Sequence, residues 1–323
     1  MIPATAHFIW FGARFPWANI VALETAAARG GFARVVLHCD RDLSGSPHWE
    51  RLEALPGFEA RILDPEALFA AAGSRGAALW ALFGQLSKPA AQANMVRAAI
   101  LATEGGVYLD TDTVTLRDLG PLRARAGAFC GVERIALPYQ VKASRDPAVW
   151  AAAGLRVGAR ELCRRLPEGW RWFRQIERWY PAAANNAVLG CAPGHPLALA
   201  LLDGMLATPP ERRLVRFALG THLLQRTLER PEIAAQVEIC APEVFYPLAP
   251  EISEHWFRPC SPPPLDEVLS PETLIVHWYA SVRTEAVIPR LSPEHVAANA
   301  RSELFSALVS RALTPTMTPT PSV

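Results

Sequence analysis

An apolar run over residues 6–11, closed by Gly12, predicts a buried strand. Residues 18–29 read as a helix stopped by Gly30-Gly31, and residues 35–38 repeat the strand pattern before Cys39-Asp40. A helix over 48–55 and a third strand over 60–63 follow. This alternation predicts an open, mostly parallel α/β sheet. The best-defined helix starts at Pro89 and ends at Gly105-Gly106, with Met95, Ala98, Ala99 and Ala102 on its apolar face. Asn94, Arg97 and Leu101 occupy a different face. A strand over 107–109 then runs into Asp110-Thr111-Asp112. Beyond residue 148 the pattern turns helical and irregular. Paired helices over 150–179 break at Pro167-Glu168-Gly169, a strand covers 185–191, helices cover 197–206 and 221–229, and a late strand covers 274–277.

Composition narrows the function classes. The 323 residues suffice for one large α/β domain with appended helices. The formal net charge is +1 with no basic stripe, so no nucleic-acid partner is expected. Lysine occurs only at Lys88 and Lys142, an arginine bias of the kind produced by a GC-rich bacterial genome. Six cysteines, none at CxxC spacing, read as reduced core thiols in a cytoplasmic protein. The start lacks a signal-peptide pattern, and no uncharged apolar stretch reaches membrane-spanning length, which leaves peripheral contact with the inner face of a membrane open. The Thr/Pro tail over 314–323 is expected to be disordered.

Asp110 and Asp112 form the leading chemical constellation. Two carboxylates two residues apart can reach one hard divalent ion if the strand breaks its pleat between them. Such an ion would offset charge developing on a departing diphosphate. Alone, the triplet is equally an acidic turn after a strand. In open α/β sheets, however, ligands gather at carboxyl ends of strands, where this pair lies.

The surrounding segment resembles a known signature. Arg97, Gly105, Gly106, Tyr108, Asp110 and Asp112 match, in type and spacing, the DXD region of the family containing yeast initiating mannosyltransferases and α1,4-galactosyl- and N-acetylglucosaminyltransferases, related to the clostridial glucosylating toxins. The opening Ile2-Pro3 and His7-Phe8-Ile9-Trp10-Phe11-Gly12 are similar to that family's first strand, and 276–282 is similar to its late His-Trp segment. Asn185-Asn186 with Gly190, then Gly194-His195-Pro196, resembles its middle segment, between donor and acceptor sites.

This resemblance implies a GT-A-type nucleotide-diphospho-sugar transferase fold: a mixed, mostly parallel sheet with flanking helices in one domain over 1–313, with a helical acceptor-side region over 148–235. It implies a metal-dependent hexosyltransferase that retains anomeric configuration, with a UDP- or GDP-hexose donor and a glycan or glycolipid hydroxyl as acceptor. Asp112, Asp110 and His277 would hold Mn²⁺ or Mg²⁺. Trp10 and Phe11 would meet the base. Asn94, Arg97, Tyr108, Asp110, Trp278 and Ser281 would meet the remainder of the donor, with Trp278 covering the diphosphate. Trp278 and Tyr279 would form part of a lid over the reactive sugar. Asn185 and Asn186 would face the acceptor.

The chain departs from the family pattern at four positions: Ala93 replaces Ser, Asn94 replaces Asp, Val276 replaces His and Val282 replaces Trp. Two other readings follow from the residues. Asp110 and Asp112 also resemble the first motif of haloacid-dehalogenase-like phosphatases, but that chemistry needs a later lysine followed by an acidic loop. Lys142 is the only later lysine, with no acidic pair suitably placed after it. The departures at Asn94 and Val282 would suit a non-catalytic sugar-nucleotide or glycan-binding relative.

Overall fold

The computed structural model describes residues 1–314; the rest of the Thr/Pro tail expected to be disordered lies outside the described residues. Nine strands form two sheets: β1 (Thr5–Trp10), β2 (Arg34–Cys39), β3 (Phe58–Ile62), β4 (Gly106–Leu109), β5 (Thr113–Thr115), β6 (Ala128–Arg134), β7 (Ala182–Cys191), β8 (Val237–Cys240) and β9 (Ile275–His277). Seven make the central sheet in the order β3-β2-β1-β4-β7-β6-β8, while β5 and β9 pair separately. β7 runs antiparallel to both β4 and β6, and the other central pairings are parallel. The expected α/β class, a mixed and mostly parallel sheet with flanking helices, is therefore present.

Alternation along the strands divides the core. Ile9 and Tyr108 face a cluster built with the Pro89–Thr103 and Pro196–Ala207 helices. Phe8, Val107 and Leu109 face the other side, with residues of the Trp17–Arg29 helix. A third cluster joins the Pro147–Arg165 and Gly169–Ile176 helices to the C-terminal Leu304–Leu313 helix. Among the described residues all six cysteines are free, and five are buried.

The strand expected over 185–191 is β7, which starts earlier, at Ala182, and enters the middle of the main sheet. Its mostly small residues, buried along nearly the whole strand, let it pass between β4 and β6. The helix expected over 48–55 shrinks to Glu50–Glu53, since His48 adopts a left-handed backbone that cannot continue a right-handed helix.

Gly105 and Gly106 set the approach to the acidic turn. Both have positive φ, +67° and +97°. A Cβ at Gly106 would lie 2.8 Å from the Thr5 carbonyl oxygen, and one at Gly105 would lie 2.6 Å from Pro193 Cδ. Only glycine lets the chain leave the Pro89–Thr103 helix and enter the sheet between β1 and β7.

Candidate active site

β4 ends at Leu109, and residues 110–112 turn into β5. The Asp110 amide donates to the Ala187 carbonyl at 2.8 Å, and Thr113 Oγ1 donates to the Asp110 carbonyl at 2.8 Å. Asn19, on the Trp17–Arg29 helix, donates through Nδ2 to the Thr111 carbonyl and hydroxyl oxygens at 3.1 and 2.9 Å. These bonds fix the break in the pleat that lets both carboxylates face one point.

Asp110 is held from the sheet side. Its Oδ1 accepts from the Tyr108 hydroxyl at 2.6 Å and from Arg97 Nη2 at 3.1 Å. The Arg97 guanidinium stacks 3.9 Å above the Tyr108 ring, and its Nη1 donates to the Asn186 carbonyl. Arg97 is buried. It meets Tyr108 because the Pro89–Thr103 helix packs on the sheet face to which Tyr108 points. The resemblance implies that Arg97 meets the donor, and in the structure its ion-pair partner is Asp110. Burial is the largest influence on the Tyr108 hydroxyl and, with Asp110 beside it, pushes its pKa well above the usual value despite the opposing pull of Arg97.

Asp112 is held from the opposite side by the late segment. β5 and β9 pair antiparallel with Thr113 opposite His277. The Trp278 amide donates to the Asp112 carbonyl at 3.1 Å, and the Ala280 amide donates to Asp112 Oδ2 at 2.7 Å. His277 Nε2 lies 3.0 Å from Asp112 Oδ1, while its buried Nδ1 has no partner among the described residues. Burial alone would lower the His277 pKa, but the adjoining Asp112 carboxylate raises it overall. Burial pushes Asp112 the other way, and His277 with the Ala280 amide outweighs it, leaving the carboxyl below its usual value.

Ligand atoms of Asp110, Asp112 and His277 all lie within 4.8 Å of one another. Two carboxylate oxygens and an imidazole nitrogen form a donor set suited to Mn²⁺ or Mg²⁺, with the softer nitrogen favouring manganese. The three side chains open onto a cavity of about 480 Å³, whose wall also includes Asn185, Asn186, Glu133, Tyr279 and Ser281.

The remaining expected residues divide. Ser281 is exposed on the cavity wall. Asn186 donates to Asn94 Oδ1 at 2.8 Å, so these two amides bind each other. Asn185 is buried, with Nδ2 donating to Glu133 Oε2 at 2.7 Å. Trp10 ends β1 and Phe11 follows it, on the side of β4 opposite β7 and β6, which line this cavity. Trp10 Nε1 donates to the Arg14 carbonyl at 3.0 Å, and its ring meets Phe15 edge-on. Trp278 corrects the expectation that it covers the donor. It is 0 % exposed and packs against Phe257 and Phe305 in the third core cluster. Alternation along β9 explains this: when His277 faces the acidic pair, its neighbour must face the core. Tyr279, expected beside it in a lid, is also buried, and its hydroxyl donates to Glu133 Oε2 at 2.8 Å.

Sequence reasoning missed Glu133. It sits near the end of β6 and is 8 % exposed. Burial raises its carboxyl pKa, and the Tyr279 and Asn185 donors pull it partly back. No motif marks it; only the adjacency of β6 and β7 brings it to the cavity. Asn19 was also silent, being one of several polar residues in a largely apolar helix.

Residues 59–128 match a family model described as the glycosyltransferase sugar-binding region containing the DXD motif. The match spans the Pro89–Thr103 helix, the glycine pair and the acidic turn. Among solved structures, mouse xyloside xylosyltransferase 1 in its apo form is similar at 15 % identity, covering 86 % of this chain and 98 % of that one, with a TM-score of 0.47. PaToxG glycosyltransferase is 17 % identical over 72 % of each chain, with a TM-score of 0.46. The UDP-bound glycosyltransferase domain of the YGT toxin is 12 % identical, covering 74 % of this chain and 79 % of that one, with a TM-score of 0.40. No curated protein matches the chain in sequence. No helix among the described residues is long and apolar enough to cross a membrane.

Proposed function

We propose that this chain is a metal-dependent, retaining glycosyltransferase of GT-A type. It moves a hexosyl unit from a UDP- or GDP-sugar to a hydroxyl of a glycan or glycolipid. The observation that carries this reading is the convergence of Asp110, Asp112 and His277 on one cavity, within and beside the DXD region. The residues form one catalytic domain over 1–313, with 148–235 supplying its acceptor side, and the protein acts in the cytoplasm.

Asp112 and His277 would hold the divalent ion, with Asp110 completing the shell directly or through water. A bound Mn²⁺ or Mg²⁺ supplies a Lewis acid that neutralises the diphosphate leaving group. The protein's own contribution is preorganisation. Arg97 and Tyr108 hold Asp110 Oδ1, so the carboxylate presents its other oxygen to the cavity. The Ala280 amide and the β5–β9 pairing hold Asp112. Ser281, one residue beyond that amide, is placed to meet a phosphate oxygen. Trp10 and Phe11, on the β1 side, remain with the nucleotide base, while the acceptor enters from the β6–β7 side.

Calorimetry of UDP and GDP binding with and without Mn²⁺ tests this reading. Binding that requires the metal and disappears in Asp112→Asn is expected. Metal-independent binding, or binding unchanged in that variant, overturns it. Release of phosphate from aryl phosphates would instead support the phosphatase chemistry.

A further inference from the structure

The cavity's outer rim carries cations that the catalytic arrangement does not use. Two other positive side chains of the wall are already paired: Arg160 with Glu251 at 2.6 Å and Arg283 with Glu254 at 3.3 Å. Lys142 and Arg216 also line the cavity, are exposed, and make no ion pair among the described residues. They flank one ring. Arg216 Cζ lies 4.7 Å and Lys142 Nζ 5.8 Å from the centroid of Phe217.

Phe217 is held on display. Its backbone has φ +70°, a left-handed conformation unfavourable for a bulky side chain. The Gly220 and His222 amides both donate to its carbonyl, at 3.0 and 3.1 Å, which maintains that conformation. The ring remains 43 % exposed. Behind it, Phe217 meets His222 at 5.8 Å between centroids, and His222 meets Tyr139 at 5.2 Å. Burial, and then the positive charges of Lys142 and Arg226, push the His222 pKa down to about 4. The imidazole is therefore neutral at physiological pH and adds an apolar face to the row.

Topology assigns this row to the acceptor rather than the donor. Tyr139 and Lys142 follow β6, which lies two strands from β4 on the side opposite β1. On the transferase reading, the nucleotide base is met by Trp10 and Phe11 at the β1 side. An exposed ring at a cavity mouth offers a stacking face for the apolar side of a pyranose. Two unpaired cations beside it lack only an anion.

Resting on the transferase reading above, we infer that the acceptor is an anionic saccharide, bearing a carboxylate or a phosphate group. Its ring stacks on Phe217 while Lys142 and Arg216 hold its charge. The acceptor hydroxyl then points inward toward the acidic pair. Exposed charge contacts of this kind give modest, salt-sensitive selectivity rather than high affinity.

The test uses the full chain and three glycosides sharing one ring: methyl glucoside, methyl glucuronoside and methyl glucoside 6-phosphate. Binding is measured by ligand-observed NMR in the presence of Mn²⁺ and UDP or GDP. The anionic glycosides are expected to bind about five- to tenfold more tightly than the neutral one, with the preference shrinking in high salt. Preference for the glucuronoside alone identifies a carboxylate acceptor, and preference for the 6-phosphate alone identifies a phosphorylated one. The double variant K142Q/R216Q should remove the preference, and K142E/R216E should reverse it. Phe217→Ala should weaken all three glycosides together. Equal binding of neutral and anionic glycosides, or a preference that survives K142E/R216E, overturns the inference. The two failures are distinct: wild-type chain that binds no nucleotide with Mn²⁺ removes the transferase reading. Chain that binds nucleotide but ignores glycoside charge removes only the anionic acceptor.

Discussion

His277 Nε2 stands 3.0 Å from Asp112 Oδ1, delivered by a three-residue strand that pairs with the strand following the acidic turn. The register places Thr113 opposite His277, so His277 and Asp112 lie side by side whenever β5 and β9 are paired. His277→Ala should therefore weaken Mn²⁺-dependent nucleotide binding on the order of tenfold or more, the usual range for a ligand or its immediate support. Its thermal midpoint should change less than that of a core truncation. Calorimetry and thermal denaturation on the same preparation read both, and normal Mn²⁺ dependence in this variant would remove His277 from the ligand set.

Arg97 Nη2 donates to Asp110 Oδ1. Arg97→Ala should lower metal-dependent nucleotide binding by on the order of 10–100-fold, because Asp110 loses one of two groups fixing its orientation. Arg97→Lys keeps the charge but cannot reproduce the contacts to Asp110, Tyr108 and the Asn186 carbonyl together. It should recover only part of the loss. Full recovery by lysine would show that charge alone matters.

Trp278 is a core residue, so its truncation should act on stability. Trp278→Ala is expected to cost roughly 3–5 kcal/mol in urea unfolding. A variant as stable as wild type that binds nucleotide poorly would restore a donor-covering role and contradict the packing against Phe257 and Phe305.

Glu133 satisfies two buried donors, Asn185 Nδ2 and the Tyr279 hydroxyl. Glu133→Ala leaves both unpaired and should destabilise the fold by about 1–3 kcal/mol or more. Glu133→Gln retains an acceptor oxygen and should cost less. Equal losses in the two variants would point to charge rather than hydrogen bonding.

Alongside His222 and His255, which burial also pushes down to about 4, acid sensitivity should come from His7 and His38. Their rings, on neighbouring strands, lie with His7 Nδ1 3.1 Å from His38 Nε2. Burial pushes His7 down to about 4 and His38 to about 3, the latter helped by His7 itself. The folded state thus keeps both neutral, while the unfolded chain takes up protons near pH 6.5. The unfolded state binds more protons, so stability is lost as pH falls from about 6.5 toward 4. A drop in Tm on the order of 5–10 °C between pH 7 and pH 5 is expected. His38→Gln should flatten that dependence, and an unchanged slope would assign it elsewhere.

Much of this protein was legible in its residues. Periodicity gave the α/β class, the strand leading to Asp110 and the long helix bearing Arg97, because those features depend on local spacing. Gly105-Gly106 marked a forced turn for the same reason. The resemblance brought forward His277, and its β-register then supplied a physical basis for its position. Other features depend on strands meeting across the fold. The antiparallel insertion of β7, the burial of Glu133 against Asn185, and the inward turn of Trp278 each require knowing which elements are neighbours. Arg97 shows the division most clearly. Sequence spacing placed it on a helix face, whereas only packing of that helix over Tyr108 brought it to Asp110. The sequence by itself determined which chemical groups the chain owns and which local turns it must make. Tertiary structure decided which of those groups satisfy one another and which remain open to a ligand, because burial and strand pairing act between residues far apart in the chain.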